Sequence, residues 1–160
     1  MAEVLIKIRI RLLGRFEVAV NGGAVADSGW TRRHAATLVK LLALAPGRRM
    51  HREEVLDAMW PDDDVDAAVP KLHKAAHFAR RATGRADTIV LRNETAELFA
   101  ESVVEIDAVV FETSARAALA AGDTASARRA LAGYGGELLP QDPYEDWAAP
   151  RREQLRQLHL

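Results

Sequence analysis

Hydrophobic and polar residues alternate along the first part of the chain. Apolar side chains occupy every second position in two runs, Ile6, Ile8, Ile10 and Leu12, then Phe16, Val18 and Val20. Alternation with this period predicts two half-buried antiparallel strands. The segment Asn21-Gly22-Gly23 favours a tight turn, so we expect a short third strand near residues 24–26.

Three segments with helical spacing of apolar residues follow this turn. We expect the first helix to have Thr31 as its N-cap and to end at Pro46-Gly47. The second is predicted over residues 52–60, with His51 at its cap. The second and third of these helices are expected to cross behind the short loop that joins them, as in a helix-turn-helix unit.

The third helix is predicted over residues 66–83, with Asp66 at its start and Gly84 at its end. Pro70 lies inside this range, and proline fits a helix only within its first turn. The helix proper is therefore expected to begin near Val69, or to bend at Pro70.

A predicted β-hairpin comes next, in which residues 88–91 and 96–99 flank the turn Arg92-Asn93-Glu94-Thr95. Strands, then three helices, then a hairpin is the order of a winged helix-turn-helix with an N-terminal antiparallel sheet. In that architecture the third helix enters the major groove of DNA and the hairpin forms the wing. We assign residues 1–102 to this winged-helix DNA-binding domain.

Everything from Asp107 onward has a helical pattern. Helices are predicted over residues 107–121 and 124–134, and a last helix is expected to begin near Tyr144 and to reach the end of the chain. The inward stripe of the first of these is predicted to be Val110, Phe111, Ser114, Ala117, Ala118 and Ala121. Paired short helices indicate an all-α, TPR-like second domain over residues 103–160, and we expect it to be part of a longer array. The fold class is therefore α+β.

Composition narrows the class of protein. The 160 residues include no cysteine, which excludes a disulfide framework and a thiolate nucleophile and fits a reducing cytosol. We expect a cytoplasmic protein without a membrane span or a cofactor. Residues 1–100 carry a net charge of +3 and residues 101–160 a net charge of −4, so a polyanionic partner is expected to meet the first part.

The polar face of the third predicted helix carries most of the candidate chemistry. Lys71, Lys74, Phe78 and Arg81 recur at spacings of three and four and are flanked by His73, His77 and Arg80. A basic stripe with imidazoles that hydrogen-bond base edges suits entry into a DNA groove. The alternative is the solvated face of an ordinary helix.

Five segments resemble the SARP-type transcriptional regulators, in which an OmpR-like winged helix precedes a bacterial transcriptional activator domain. They are LLGRFEVAVNGG, REEVLDAMWPDD, LHKAAHFARRATG, TIVLRNETAELF and VEIDAVVFETSARAALAAGD. The resemblance implies a non-enzymatic regulator that binds promoter DNA at direct repeats, often as a pair of molecules, and recruits RNA polymerase.

The resemblance also implies roles for particular positions. The groove-facing side of the recognition helix corresponds to Lys71, His73, Lys74, His77, Phe78 and Arg81. Phosphate contacts correspond to Arg32 and Arg33, and the wing tip corresponds to Arg92. The loop at residues 61–64 corresponds to the region that touches the polymerase.

Three positions depart from the pattern of this family, and the first is His51, which stands where a hydroxyl-bearing cap is usual. Many members have an arginine at the position of Phe78 and a large aliphatic residue at the position of Ala79. We expect Phe78 to make an apolar contact with DNA, for example with a thymine methyl group.

Other functions remain open from the sequence. His73 and His77 have a spacing that suits a divalent metal, although no third ligand is evident. The acidic run at residues 62–66 lacks the glycine and the glutamate of a calcium loop. A protein-interaction module that keeps the winged-helix shape without binding DNA is the main alternative to a regulator.

Overall fold

The computed structural model describes residues 6–143 and 145–159. Its strands are β1 (Lys7–Arg11), β2 (Glu17–Val20), β3 (Gly23–Ala24), β4 (Arg49–His51), β5 (Ile89–Arg92), β6 (Thr95–Leu98) and β7 (Val103–Ile106). Its α-helices are α1 (Arg33–Leu44), α2 (Arg52–Met59), α3 (Val65–Thr83), α4 (Asp107–Ala121), α5 (Thr124–Ala132) and α6 (Ala149–His159). The described strands form one sheet in the order β3-β2-β1-β7 and another in the order β4-β6-β5. The predicted α+β class, with an N-terminal sheet followed by helices, is confirmed.

Two compact units divide the chain. One comprises Val18–Val104 together with the residues up to Ile8, and the other comprises Arg9–Glu17 and Glu105–Leu160. Residues 9–17 therefore group with the helices that follow residue 104, whereas the sequence placed them in the first domain. The long-range contacts that join these residues to the later helices leave no local sequence pattern.

In the first unit, α1, α2 and α3 pack on one another, and α1 supplies the central part of the core. Leu38, Val39 and Leu42 are fully buried on this helix. The N-cap of α1 is Arg32, in an extended conformation and without a side-chain cap. The prediction that Thr31 caps this helix is wrong, because a 3-10 turn at Asp27–Trp30 carries the chain one residue further before the α-helix begins.

The helix α3 begins at Val65 and continues through Pro70, so the expectation of a start near Val69 is wrong. The side chain of Asp64 accepts a hydrogen bond from the backbone N–H of Ala67 at 2.8 Å and so caps the helix. Pro70 removes one helical hydrogen bond, but both Asp66, whose carbonyl loses its partner, and Pro70 itself lie on the exposed side. Water can satisfy that carbonyl.

The hairpin β5–β6 is present as predicted, and a strand that the sequence pattern missed joins it. The register pairs Leu91 with Ala96 and Arg92 with Thr95, which leaves a two-residue turn at Asn93 and Glu94. Both turn residues have positive φ angles, 52° and 61°, as the twist of a hairpin favours. The three residues of β4 pair with β6 and are too few to show a period.

The second unit is anchored by the first residue of α4. The carboxylate of Asp107 accepts hydrogen bonds from the backbone N–H groups of Leu12 and Leu13 at 2.7 and 3.0 Å. Nearby, Gly14 has a φ of +83°, and a Cβ at this position would lie 2.7 Å from the carbonyl oxygen of Gly135. This close approach of two backbones requires glycine.

The buried stripe of α4 differs from the predicted one. Ala108, Phe111, Ala115 and Ala118 are buried. Of the predicted stripe, Val110, Ser114, Ala117 and Ala121 are exposed. Helical spacing fits either stripe in an alanine-rich helix, and the packing of α4 on α5 and α6 decides between them.

The last helix begins at Ala149 and not near Tyr144, a residue that lies outside the described part of the chain. Irregular turns precede it, with Leu138 and Leu139 fully buried. Within the described residues, no helix combines the length and the apolar character that crossing a membrane requires.

Candidate functional site

The outward face of α3 carries the predicted binding residues. Its buried side is formed by Ala68, Leu72, Ala75, Ala76 and Ala79. The exposed side carries Lys71, His73, Lys74, His77 and Arg81. The small alanine side chains on the buried side let the helix lie close to the core. The predicted DNA-binding cations of α3, which are Lys71, Lys74 and Arg81, are all exposed.

Both ends of α3 are held in place by specific contacts. Asp64 caps the first turn, and the last turn ends at Gly84, whose left-handed φ of 73° terminates the helix. Near the C-terminus, Nε of Arg80 donates to the carbonyl oxygen of Ile89 at 2.9 Å. Because Ile89 begins β5, this bond ties the helix to the wing.

A groove of about 400 Å³ lies between the start of α1 and the exposed face of α3. It is lined by Arg32, Arg33, His34, Ala35, Lys71, Lys74, Ala75 and Phe78. Four cations thus share one concave surface. The structure brings both predicted phosphate-binding arginines of α1 together with two lysines of α3.

Phe78 is half-buried at this groove. The guanidinium carbon of Arg32 lies 4.2 Å from the centroid of its ring, which is a cation–π contact. The ring of His77 meets the ring of Phe78 nearly edge-on, with the centroids 5.3 Å apart. Phe78 is therefore in contact with two neighbours of the predicted set.

A second cavity, of about 180 Å³, lies between α3, the start of α2 and the wing. Arg52, His73 and Arg92 contribute its basic side chains, and residues 93–95 close it at the wing. The backbone N–H of Arg52 donates to the carbonyl oxygen of Glu94 at 2.7 Å, which fixes the wing turn against α2. Sequence reasoning missed Arg52, because only the folded hairpin brings it beside His73.

One cation of α3 already has a carboxylate partner. Nζ of Lys71 lies 2.5 Å from Oδ2 of Asp63, in the loop between α2 and α3, and both groups are partly exposed. Arg81 lies further along the helix and lines neither cavity. The predicted DNA-binding residues therefore lie in three places, which are the groove, the smaller cavity and an exposed stretch of α3.

The geometry does not support the alternative that His73 and His77 bind a divalent metal ion. Among residues 6–143 and 145–159, no group of three or more histidine, aspartate or glutamate side chains is arranged to hold a metal ion. His73 faces the wing cavity, and His77 packs against Phe78.

Comparison with known proteins gives similarity in structure only. No protein-family model matches the chain, and no curated protein matches it significantly. The structure of EmbR from Mycobacterium tuberculosis, in complex with a low-affinity phosphopeptide, superimposes with a TM-score of 0.73 at 18% sequence identity. The similarity covers 96% of this chain but only 43% of the EmbR chain. The fold of this chain is therefore similar to that of the matched part of EmbR, and the chain spans less than half of the length of that protein.

Proposed function

We propose that this chain is a sequence-specific DNA-binding transcriptional regulator that inserts α3 into the major groove. The observation that carries the proposal is the position of α3 relative to the neighbouring cations. Its exposed basic face lies between two cavities, one lined by cations of α1 and the other by cations of α2 and the wing.

Phosphates on the two sides of a major groove would lie near these two cavities. Each phosphate neutralised by lysine or arginine releases condensed counterions, which is the main source of affinity for DNA. Arg32, Arg33, Lys71 and Lys74 line the first cavity and would contact phosphates there, and Arg52 and Arg92 would do so at the second. His73 and His77 remain on the face that meets base edges, where hydrogen bonds distinguish sequences.

The similarity of fold to EmbR supports a regulator of the SARP type. On this proposal the molecule acts in the cytoplasm as an activator, binds promoter direct repeats as a pair of copies and performs no catalysis. The proposed DNA-binding domain spans residues 1–102, of which residues 9–17 group with the later helices, and residues 103–160 supply helices of the proposed activator domain.

RNA polymerase is the proposed protein partner, met through the loop at residues 61–64. Pro61, Asp62 and Asp64 are exposed in this loop, and it projects between α2 and α3. The acidic loop is kept in place from both sides, since Asp64 caps α3 and Asp63 pairs with Lys71. A firmly held acidic loop suits contact with a basic protein surface.

The test is the salt dependence of binding to a selected DNA site. The double variant Lys71→Ala/Lys74→Ala is expected to reduce the slope of log affinity against log salt by about two, one for each lost phosphate contact. The matched control Arg128→Ala/Arg129→Ala removes two neighbouring exposed charges from α5. It should leave the slope unchanged.

An unchanged slope for the lysine variant would remove Lys71 and Lys74 from the interface. Failure of the wild-type chain to bind heparin or duplex DNA at low salt would favour the protein-interaction alternative. Sites selected from random duplex DNA would supply the target sequence for the titration.

A further inference from the structure

Arg32 is held across the groove by the ring of Phe78. The guanidinium carbon lies 4.2 Å from the ring centroid, and Phe78 belongs to α3 while Arg32 is the N-cap of α1. Stacking uses the flat face of the guanidinium. Its five N–H donors point outward in the plane of the group and stay available for an anion.

Those donors have no acceptor within the described part of the chain, since neither a hydrogen bond nor an ion pair of the Arg32 side chain is found there. Lys71 in the same groove differs, because Asp63 already partners it. Arg32 is exposed, so its donors are hydrated in the free protein and form an oriented fork in a concave basic surface.

Like charges work against this arrangement. Arg33, Lys71 and Lys74 line the same groove, so repulsion and rotamer entropy both favour an Arg32 side chain that extends into solvent. Attraction to the face of Phe78 opposes both effects. A leucine at position 78 would retain apolar contact but would lack the ring quadrupole that attracts the cation.

We propose that Phe78 is a positioning residue whose ring aims the Arg32 guanidinium at one phosphate of the DNA backbone. This inference rests on the proposed function. It gives Phe78 a role that differs from the thymine contact suggested by the sequence. It also explains how a chain without an arginine at position 78 places a guanidinium at this part of the helix.

A double-mutant cycle on the full chain tests the proposal, with a short mixed-sequence DNA duplex as the probe. Phe78→Leu is expected to weaken binding about two- to fivefold, the range of an exposed cation–π contact. Phe78→Trp keeps an aromatic face and should bind as the wild type does. In the Arg32→Ala background, Phe78→Leu should have no further effect.

The salt slope gives a second readout that loss of packing would not change. Arg32→Ala should lower the slope by about one, and Phe78→Leu should lower it by less than one, because the unpinned arginine still contacts the phosphate part of the time. Without DNA, the Cδ protons of Arg32 should show an upfield ring-current shift in NMR spectra that Phe78→Leu abolishes. That measurement reports the stacking directly, and thermal unfolding checks that each variant is folded.

Equal effects of Phe78→Leu with and without Arg32 would overturn the proposal, as would an unshifted Arg32 resonance in the wild type. If Lys74→Ala weakens binding while the cycle is additive, the proposed function stands and only the role of Phe78 fails. If the wild-type chain shows no salt-dependent DNA binding, both fail.

Discussion

The helices α3 and α4 have similar buried faces and similar C-terminal caps, but their exposed charges differ in ion pairing. Both bury an alanine-rich face, and both end at a left-handed glycine, Gly84 and Gly122. On α4, Glu112 accepts hydrogen bonds from both Arg116 and Arg151, so these charges are neutralised within the second unit. On α3, neither Lys74 nor Arg81 has an ion pair among the described residues.

This difference separates charge that is paired within the protein from charge that has no ion pair among the described residues. Paired surface charges contribute little to stability, and unpaired cations on one face raise the local potential. Under the proposed function, the α3 cations that lack carboxylate neighbours raise the positive potential of the face that meets DNA. Lys71 is the partial exception on α3, because Asp63 holds it in the unbound protein.

The largest expected effect concerns which stripe of α4 is buried. Phe111→Ala should lower the free energy of unfolding by about 3–5 kcal/mol, since the ring is 1% exposed and its removal leaves a cavity. Val110→Ala, at a position 46% exposed, should cost less than about 0.5 kcal/mol. Urea denaturation measures both. Similar losses for the two variants would restore the stripe that the sequence predicted.

Two carboxylates, the buried Asp87 of the first unit and the half-buried Asp107 of the second, should respond oppositely to pH. Burial opposes ionisation of Asp87, but hydrogen bonds from Ser102, Arg85 and the amide of Glu101 outweigh it and lower its pKa below the usual 3.8. Burial dominates at Asp107 and raises its pKa, despite the bonds from Leu12 and Leu13.

A depressed pKa stabilises the fold above the unfolded value, and that stability is lost as pH falls through the folded pKa. A raised pKa acts in reverse, so its contribution is lost as pH rises through the folded value. At neutral pH, Asp87→Asn should cost about 1–3 kcal/mol, and the cost should shrink in acid. For Asp107→Asn, the deficit relative to the wild type should shrink as pH rises. Parallel pH profiles from urea denaturation would contradict this contrast.

The smallest effects come from neutralising the carboxylate partner in each helix. Glu112→Gln should reduce stability by about 1 kcal/mol, since Arg151 is largely covered, and should leave DNA binding unchanged. Asp63→Asn should barely change stability but should raise DNA affinity about two- to threefold, because Lys71 no longer has to leave a partner. Denaturation and binding titrations of both variants measure the comparison. Stronger DNA binding by Glu112→Gln would end the distinction between the two helices.

The period of apolar residues and the positions of turn residues were enough to predict most elements from β1 to the wing. Alternating residues predicted β1 and β2, and Gly84 and the Asn93-Glu94 turn marked the end of α3 and the middle of the wing. Helical spacing predicts Leu72, Ala75, Ala76, Ala79 and Thr83 on the inward side of α3; the first four are buried, and Thr83 is half-buried. Short strands escaped detection, because three residues of β4 carry no measurable period.

The sequence by itself determined which residues of α3 face outward and that they are basic, because helical geometry converts spacing into faces. Only the tertiary structure decided which cations share a groove, that Arg52 joins His73 and Arg92, and that Arg32 rests on the ring of Phe78. These contacts join residues tens of positions apart, and no local pattern encodes them. The same holds for α4, where several alanine faces satisfy the helical period and only packing against α5 and α6 selects one.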